Sequence, residues 1–418
     1  MDVGKAPAGG ADRSLVSAVL ALSFFGWLSV AIAGPFVLSG TGWAEAVVGL
    51  GVALPFTAAI FTGALWQVFG PRVWLVSGLF VVTTGISTIL GVINFLTVVA
   101  IAVLPVYLLT SGAMTLVSSR DILLSLRALA VFTAIALVAA AAAHGELKFF
   151  YGQYAAWQRL TGGQQPNYYG LVALVGMICA LAWRGAVKLA LVGLFFWLAY
   201  LAQSRMTLIC MFICVVFIAF EAGQKIKEIG VKNPGRAMVL VGLLTTGAAG
   251  FAIFAFLKLA YISSLGGRDV SELGGRGQIW KAAIAKFAEA PWFGFGYRAQ
   301  SNVNLIGPYY SHNMWLSSLL EIGAIGTFVF MTVYIYAFYI SFKHAKRCGV
   351  ASLCVVILSV YLVYGIFEGR YINTGNSLSV LFLFSLGYLL ALEDRSSIEH
   401  DSLEKSPGTK VDRGRLSI

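Results

Sequence analysis

Apolar runs recur along nearly the whole chain, each close to the ~20 residues that a helix needs to cross a ~30 Å hydrocarbon core. Twelve can be read in the 418 residues, at roughly 14–33, 44–66, 72–90, 93–111, 122–142, 167–183, 186–202, 206–222, 237–257, 313–341, 350–367 and 375–392. Lipid offers no partners to backbone polar groups, so such runs fold as helices that satisfy themselves. Composition agrees: 59% of residues are hydrophobic and 11% charged, against ~25% charged in a soluble domain. The expectation is an all-α, polytopic integral membrane protein, one transmembrane domain over 1–418. The first run is read as a span rather than a cleaved signal peptide, since Gly34-Pro35 ends it without a cleavage signature.

The net charge of +11 finds its explanation in loop charge, not in nucleic acid. With the N-terminus inside, the inner loops hold twelve basic residues: Arg72, Arg120, Arg127, Arg184, Lys188, Lys225, Lys227, Lys232, Arg236, Lys343, Lys346 and Arg347. The short outer loops hold four, Lys148, Arg159, Arg205 and Arg370. Both termini then lie in the cytoplasm. The polar tail, 393–418, reads as disordered. Two outer loops are long. The first, 143–166, carries Phe150, Tyr154 and Trp157 at helical spacing and reads as an interfacial helix. The second, 258–312, is an outer insert with an amphipathic helix over Gln278–Ala290 that Pro291 ends.

The five cysteines, Cys179, Cys210, Cys214, Cys348 and Cys354, lie in or beside spans and read as ordinary apolar residues. The outer acids Glu146, Asp269, Glu272, Glu289 and Glu368 are scattered, so no cluster suits a divalent metal. No Walker A loop is present. Neither a metal nor a cofactor is expected, and the energy for any reaction must come from an activated substrate.

Polar groups concentrate between Gly274 and Gly326. Arg276 sits among Gly274, Gly275 and Gly277 just before a helix, where an anion is favoured; the plain alternative is a surface Arg in a flexible turn. Arg205, in Gln203-Ser204-Arg205-Met206-Thr207, has almost no polar loop around it. It is either a snorkelling side chain or an anion clamp whose forked donors suit a phosphate. His312 follows a polar link and opens a span. A lone His is more often structural, but this position suits proton transfer at a pocket mouth. Glu321, nine residues further on, would face the opposite side of a continuous helix and is read as a hydrogen-bonding structural group.

In order along the chain, these residues resemble the O-antigen ligase and polymerase family. Ser204-Arg205 stands at the outer end of a span. Gly275-Arg276 precedes a helix with Trp280. Pro291 to Gly296 forms Pro-x-x-Gly-x-Gly, and His312-Asn313 to Leu316 leads into Glu321, Gly323 and Gly326. Gln165-Pro166-Asn167 also looks like the family's segment before the sixth span, while Met206 stands where the family often has glycine. The ordered match covers about 200–330.

The resemblance implies a GT-C-like bundle of about twelve transmembrane helices with a periplasmic helical lid. It implies a metal-independent glycosyltransferase in the bacterial inner membrane, acting at the periplasmic face on an undecaprenyl-diphosphate-linked glycan donor. In the ligase branch the acceptor is the lipid A–core; in the polymerase branch it is another lipid-linked repeat; a third branch glycosylates protein. His312 is the expected general base, with Arg205 and Arg276 on the diphosphate. Arg159, Asn313 and Trp280 are candidate substrate-binding residues. Direct attack would invert the anomeric centre. Membrane lipid is the surrounding partner, and a monomer or weak oligomer is expected. The competing class is a twelve-span transporter or flippase. The loop between spans two and three, Gly70-Pro71-Arg72, lacks the acid and basic cluster of the common facilitators, and only Glu321 is clearly deep in a span.

Overall fold

The structure is a computed structural model. It describes residues 10–37, 51–67, 70–93, 95–151, 158–230, 276–303, 305–308, 310–368 and 376–404. The helices are α1 (Gly10–Val37), α2 (Ala53–Phe61), α3 (Ala64–Gln67), α4 (Pro71–Leu90), α5 (Phe95–Ala113), α6 (Ser119–Ala143), α7 (Pro166–Ala180), α8 (Gly185–Leu201) and α9 (Arg205–Gly230). After them come α10 (Arg276–Phe287), the single turn α11 (Ala299–Asn302), α12 (Met314–Ala345), α13 (Gly349–Phe367) and α14 (Ser377–Glu404), with one short extended segment, β1 (Leu305–Pro308). The fold is all-α. Among the described residues eight helices are long and apolar enough to cross a membrane: α1, α4, α6, α9, α12, α13, α14 and the stretch Thr97–Leu116.

Several of the twelve expected spans look different. Residues 44–50 and 237–257 lie outside the described residues. The rest of the second expected span is two short helices, broken at Thr62-Gly63, where Gly63 takes φ +66°. The sixth and seventh are helices of 15 and 17 residues. Tyr154 and Trp157 of the expected interfacial helix are not among the described residues, and Leu147–Tyr151 before them is a 3-10 turn.

The chain divides into two compact units, one of residues 1–133 with 279–418, the other of 134–278. In the first unit α14 is the central helix. Every residue from 376 to 391 is buried, as expected of a helix apolar all round. Small residues allow close approach where lipid supplies no hydrophobic drive between helices. A Cβ on Gly387 would sit 2.4 Å from the Leu108 carbonyl oxygen of α5. Phe382 stacks on Tyr361 at 4.1 Å between ring centres.

At its C-terminal end α14 is tied by charge. Glu393 meets Lys343 Nζ at 2.6 Å and His344 Nε2 at 2.8 Å. Asp394 receives Arg72 Nη1 at 2.6 Å and the Arg72 amide at 3.2 Å. The tail expected to be disordered from 393 continues as helix to Glu404 here, where two acids that would otherwise be solvated are drawn against bases on α4 and α12. Residues 405–418 lie outside the described part.

The N-terminal half of α12 carries the main departure from regular geometry. Gly323 has φ +69° and ψ −174°, which breaks the helix. An intact helix would pair Ala324 N–H with the Leu320 carbonyl and Ile325 N–H with that of Glu321. Here the loop after Pro291 takes over all four groups. Ala324 N donates to Pro291 O at 2.8 Å and Ile325 N to Trp292 O at 3.2 Å. Phe295 N donates to Leu320 O at 2.8 Å and Gly296 N to Glu321 O at 3.0 Å. The Ser87 hydroxyl of α4 also donates to the Glu321 carbonyl. Non-helical backbone inside a span is tolerated where protein satisfies it. The glycines make the approach possible: a Cβ on Gly323 would lie 2.3 Å from Trp292 O, and one on Gly294 2.7 Å from Glu321 O.

In the second unit, α7 packs on α8, and α9 packs on both. Gly170 of α7 lets α9 come close, since a Cβ there would lie 2.5 Å from Ser204 Cβ. The buried Tyr169 hydroxyl donates to the Leu137 carbonyl at 3.0 Å.

Candidate active site

His312 stands between two residues that the fold holds through several polar atoms each. Ser311 is fully buried. Its N–H donates to Gln300 Oε1 at 3.2 Å, its carbonyl accepts Trp280 Nε1 at 2.9 Å, and its hydroxyl lies 2.6 Å from Ser317 Oγ. Asn313 is the N-cap of α12. Its Oδ1 accepts the Trp315 and Leu316 amides at 2.9 and 3.0 Å, and its Nδ2 donates to Ile366 O at 3.0 Å. Between them His312 adopts φ +46°, a left-handed conformation costly for a residue with a Cβ and held only where the surroundings over-determine it.

The His312 side chain is 44% exposed, and its Nδ1 lies 3.8 Å from Glu368 Oε2 at the end of α13. The Tyr310 ring stands edge-on to the imidazole at 6.3 Å. At 3.8 Å the carboxylate is within ion-pair range of a protonated imidazole but beyond hydrogen-bond distance. Glu368 was read from sequence as one of several scattered acids; its only signal there is that it closes a span on the expected outer side.

Glu321 supports this loop. Its carboxylate accepts the Arg298 amide at 2.9 Å and the Gln300 amide at 3.3 Å. Arg298 is a second left-handed residue, at φ +61°. Between this loop and α4, burial pushes the Tyr297 phenol above its ordinary range, so it stays neutral and its ring fills space.

In the other unit, the turn between α8 and α9 carries Ser204-Arg205. Gln203 takes φ +51° there. Arg159 is engaged with this turn: its Nε donates to Ala202 O at 3.0 Å, and its Nη2 to Gln203 O at 3.2 Å and Asn167 Oδ1 at 2.8 Å. Gln203 Nε2 returns a bond to Gln158 O at 3.0 Å, and Leu160 N donates to Leu201 O at 3.0 Å. Arg205 is the first residue of α9, half-buried, and its guanidinium has no hydrogen-bond or ion-pair partner among the described residues. Arg276 is likewise the first residue of its helix, α10, and half-buried. Gly274 and Gly275 lie outside the described residues.

The six candidates thus differ in kind. Trp280 and Asn313 have hydrogen bonds that hold the backbone on either side of His312, and Arg159 holds the turn before Arg205. Arg205 and His312 present side chains not consumed by such bonds. No group of three or more His, Cys, Asp or Glu that could hold a metal ion occurs among the described residues.

Residues 189–331 match the O-antigen ligase family. That stretch contains Arg205, Arg276, Trp280, His312 and Asn313, so the resemblance carried by the motifs stands over the region where they lie. It excludes Arg159 and Glu368. The chain is also similar to an O-antigen ligase of Pseudomonas aeruginosa, with 33% identity over 107 residues, 24% of each chain. The match therefore spans about a quarter of that relative's length.

Proposed function

We propose that this protein is an O-antigen ligase of the bacterial inner membrane. It transfers O-antigen polysaccharide from undecaprenyl diphosphate to the lipid A–core at the periplasmic face, forming lipopolysaccharide. The observation that carries the reading is the strained, half-open His312 with Glu368 behind it, in a segment that matches the O-antigen ligase family. The ligase branch is preferred over the polymerase and protein-glycosylating branches because the curated relative is a ligase.

The chemistry follows from the side chains. The acceptor hydroxyl oxygen attacks the anomeric carbon of the donor sugar, and the sugar–phosphate bond breaks. The proton passes to His312, and the bonding electron pair leaves on the lipid diphosphate. Glu368 stabilises the imidazolium as it forms. Arg205 and Arg276 are assigned to the diphosphate, where guanidinium donors offset the growing charge. Arg159 acts through the turn that carries Arg205. Trp280 and Asn313 act through the backbone around His312. A single displacement inverts the anomeric centre, and no metal takes part.

The test is a gel of lipopolysaccharide and lipid-linked glycans from a strain lacking this gene. Bare core, with long glycans retained on the lipid carrier, supports the ligase. Core capped with one repeat unit would make it a polymerase. No change in either pool would favour a transporter.

A further inference from the structure

Gln300 lies in α11, is 7% exposed, and took no part in the sequence argument. It joins the two structural devices of this region. Its amide N–H is held by the Glu321 carboxylate, which belongs to the broken part of α12. Its side-chain Oε1 accepts the Ser311 N–H, one residue before His312. The other two polar groups of Ser311 are held by Trp280 and Ser317, so Gln300 supplies the third point that fixes this backbone. The Nε2 of the same amide is buried and has no partner among the described residues. A buried donor left unmade carries a desolvation penalty. An apolar residue of similar size would avoid that penalty, so the amide is in place for its oxygen.

We propose that Gln300 is a positioning residue for the transfer reaction: it transmits the seating of the 291–300 loop in the broken helix to the backbone of His312. The path is short and continuous, from Glu321 Oε1 to Gln300 N, from Gln300 Oε1 to Ser311 N, and then to His312. Without the Oε1 contact, Ser311 loses one of its three anchors and His312 can relax out of its left-handed conformation. The imidazole then leaves the place where Glu368 faces it. Misplacement of a catalytic group by about 1 Å can cost on the order of 100-fold in rate.

The proposal rests on the ligase reading for its kinetic readout only. The purified full chain is compared with Q300M, which keeps the bulk but removes the acceptor, and Q300E, which keeps an acceptor oxygen and discards the idle donor. Hydrogen–deuterium exchange is followed on the peptide carrying Ser311, and transfer is measured with undecaprenyl-diphosphate-linked glycan and lipid A–core. The expected result for Q300M is faster exchange at Ser311 and a kcat lowered at least tenfold with KM unchanged, Q300E restoring both. Wild-type exchange at Ser311 in Q300M, an unchanged kcat, or a loss carried by KM would overturn it. Should Q300E be expressed unfolded, exchange and the kcat–KM split in Q300M decide alone; should Q300M be unfolded, Q300A takes its place. If the wild-type chain transfers no glycan, the ligase reading fails, and the exchange result still decides whether Gln300 anchors Ser311.

Discussion

The two ends of α12 each bring a histidine to a glutamate, and they do it differently. At the N-terminal end His312 Nδ1 is 3.8 Å from Glu368, with the imidazole 44% exposed. At the C-terminal end His344 Nε2 is 2.8 Å from Glu393, with the ring 11% exposed and Lys343 on the same carboxylate at 2.6 Å. The second pair is short, enclosed and shared with a cation, and it ties α14 to α12. The first pair is loose and open on one side, and its histidine stands in a costly backbone conformation. The same two residue types make a fastening where burial and a third charge complete them, and a looser, half-exposed pair where they do not.

The comparison breaks most directly by exchanging each histidine. His312→Ala should lower transfer by about 100- to 10,000-fold, the range for losing a general base, with the folded yield retained. His344→Ala should lower the yield and leave turnover per folded molecule unchanged. Equal losses of turnover from both would show that the two ends are not specialised. Next in size is Gly323→Ala. The left-handed backbone alone costs roughly 1–3 kcal/mol for a residue with a Cβ, and that atom would also collide with Trp292 O. Detergent-solubilised protein should melt earlier and lose transfer together; a variant that melts like wild type would mean that the loop is not seated in the helix break. Glu393→Ala leaves Lys343 and His344 without their counter-charge and should destabilise by about 3 kcal/mol, read as thermal unfolding with activity per folded molecule intact. The smallest effect is expected from Glu368→Gln. It keeps the shape but not the charge that favours an imidazolium, so kcat should fall on the order of tenfold while KM holds. An unchanged kcat would remove Glu368 from the mechanism.

Legibility in the sequence followed physical range. Helices whose signal is a long apolar run, such as α4, α6, α12 and α13, were readable within a few residues, because membrane crossing depends on length and apolarity alone. The amphipathic helix was also readable, although it begins at Arg276 and ends at Phe287 rather than covering 278–290. The second expected span was not, since one glycine at φ +66° breaks it and apolar content does not report φ. The motif glycines were visible, but their purpose was not. Gly294, Gly296 and Gly323 matter because a loop and a helix exchange backbone hydrogen bonds, a pairing that local pattern does not encode. Glu321 was rightly read as a hydrogen-bonding group, yet its partners, the amides of Arg298 and Gln300, precede it by more than twenty residues.

By itself, the sequence determined that this is a helical membrane protein and that its polar candidate residues gather in one insert and at one helix end. Both are properties of composition and short-range order. Only the tertiary structure decided which of those residues are fastened and which are free. Arg159, Asn313 and Trp280 looked like ligand contacts in the sequence and have hydrogen bonds to backbone in the fold. Glu368 and Gln300 looked like nothing in particular and lie beside His312 or its neighbour Ser311. The reason is that a polar side chain is defined by its partners, and here the partners come from helices far apart in the chain.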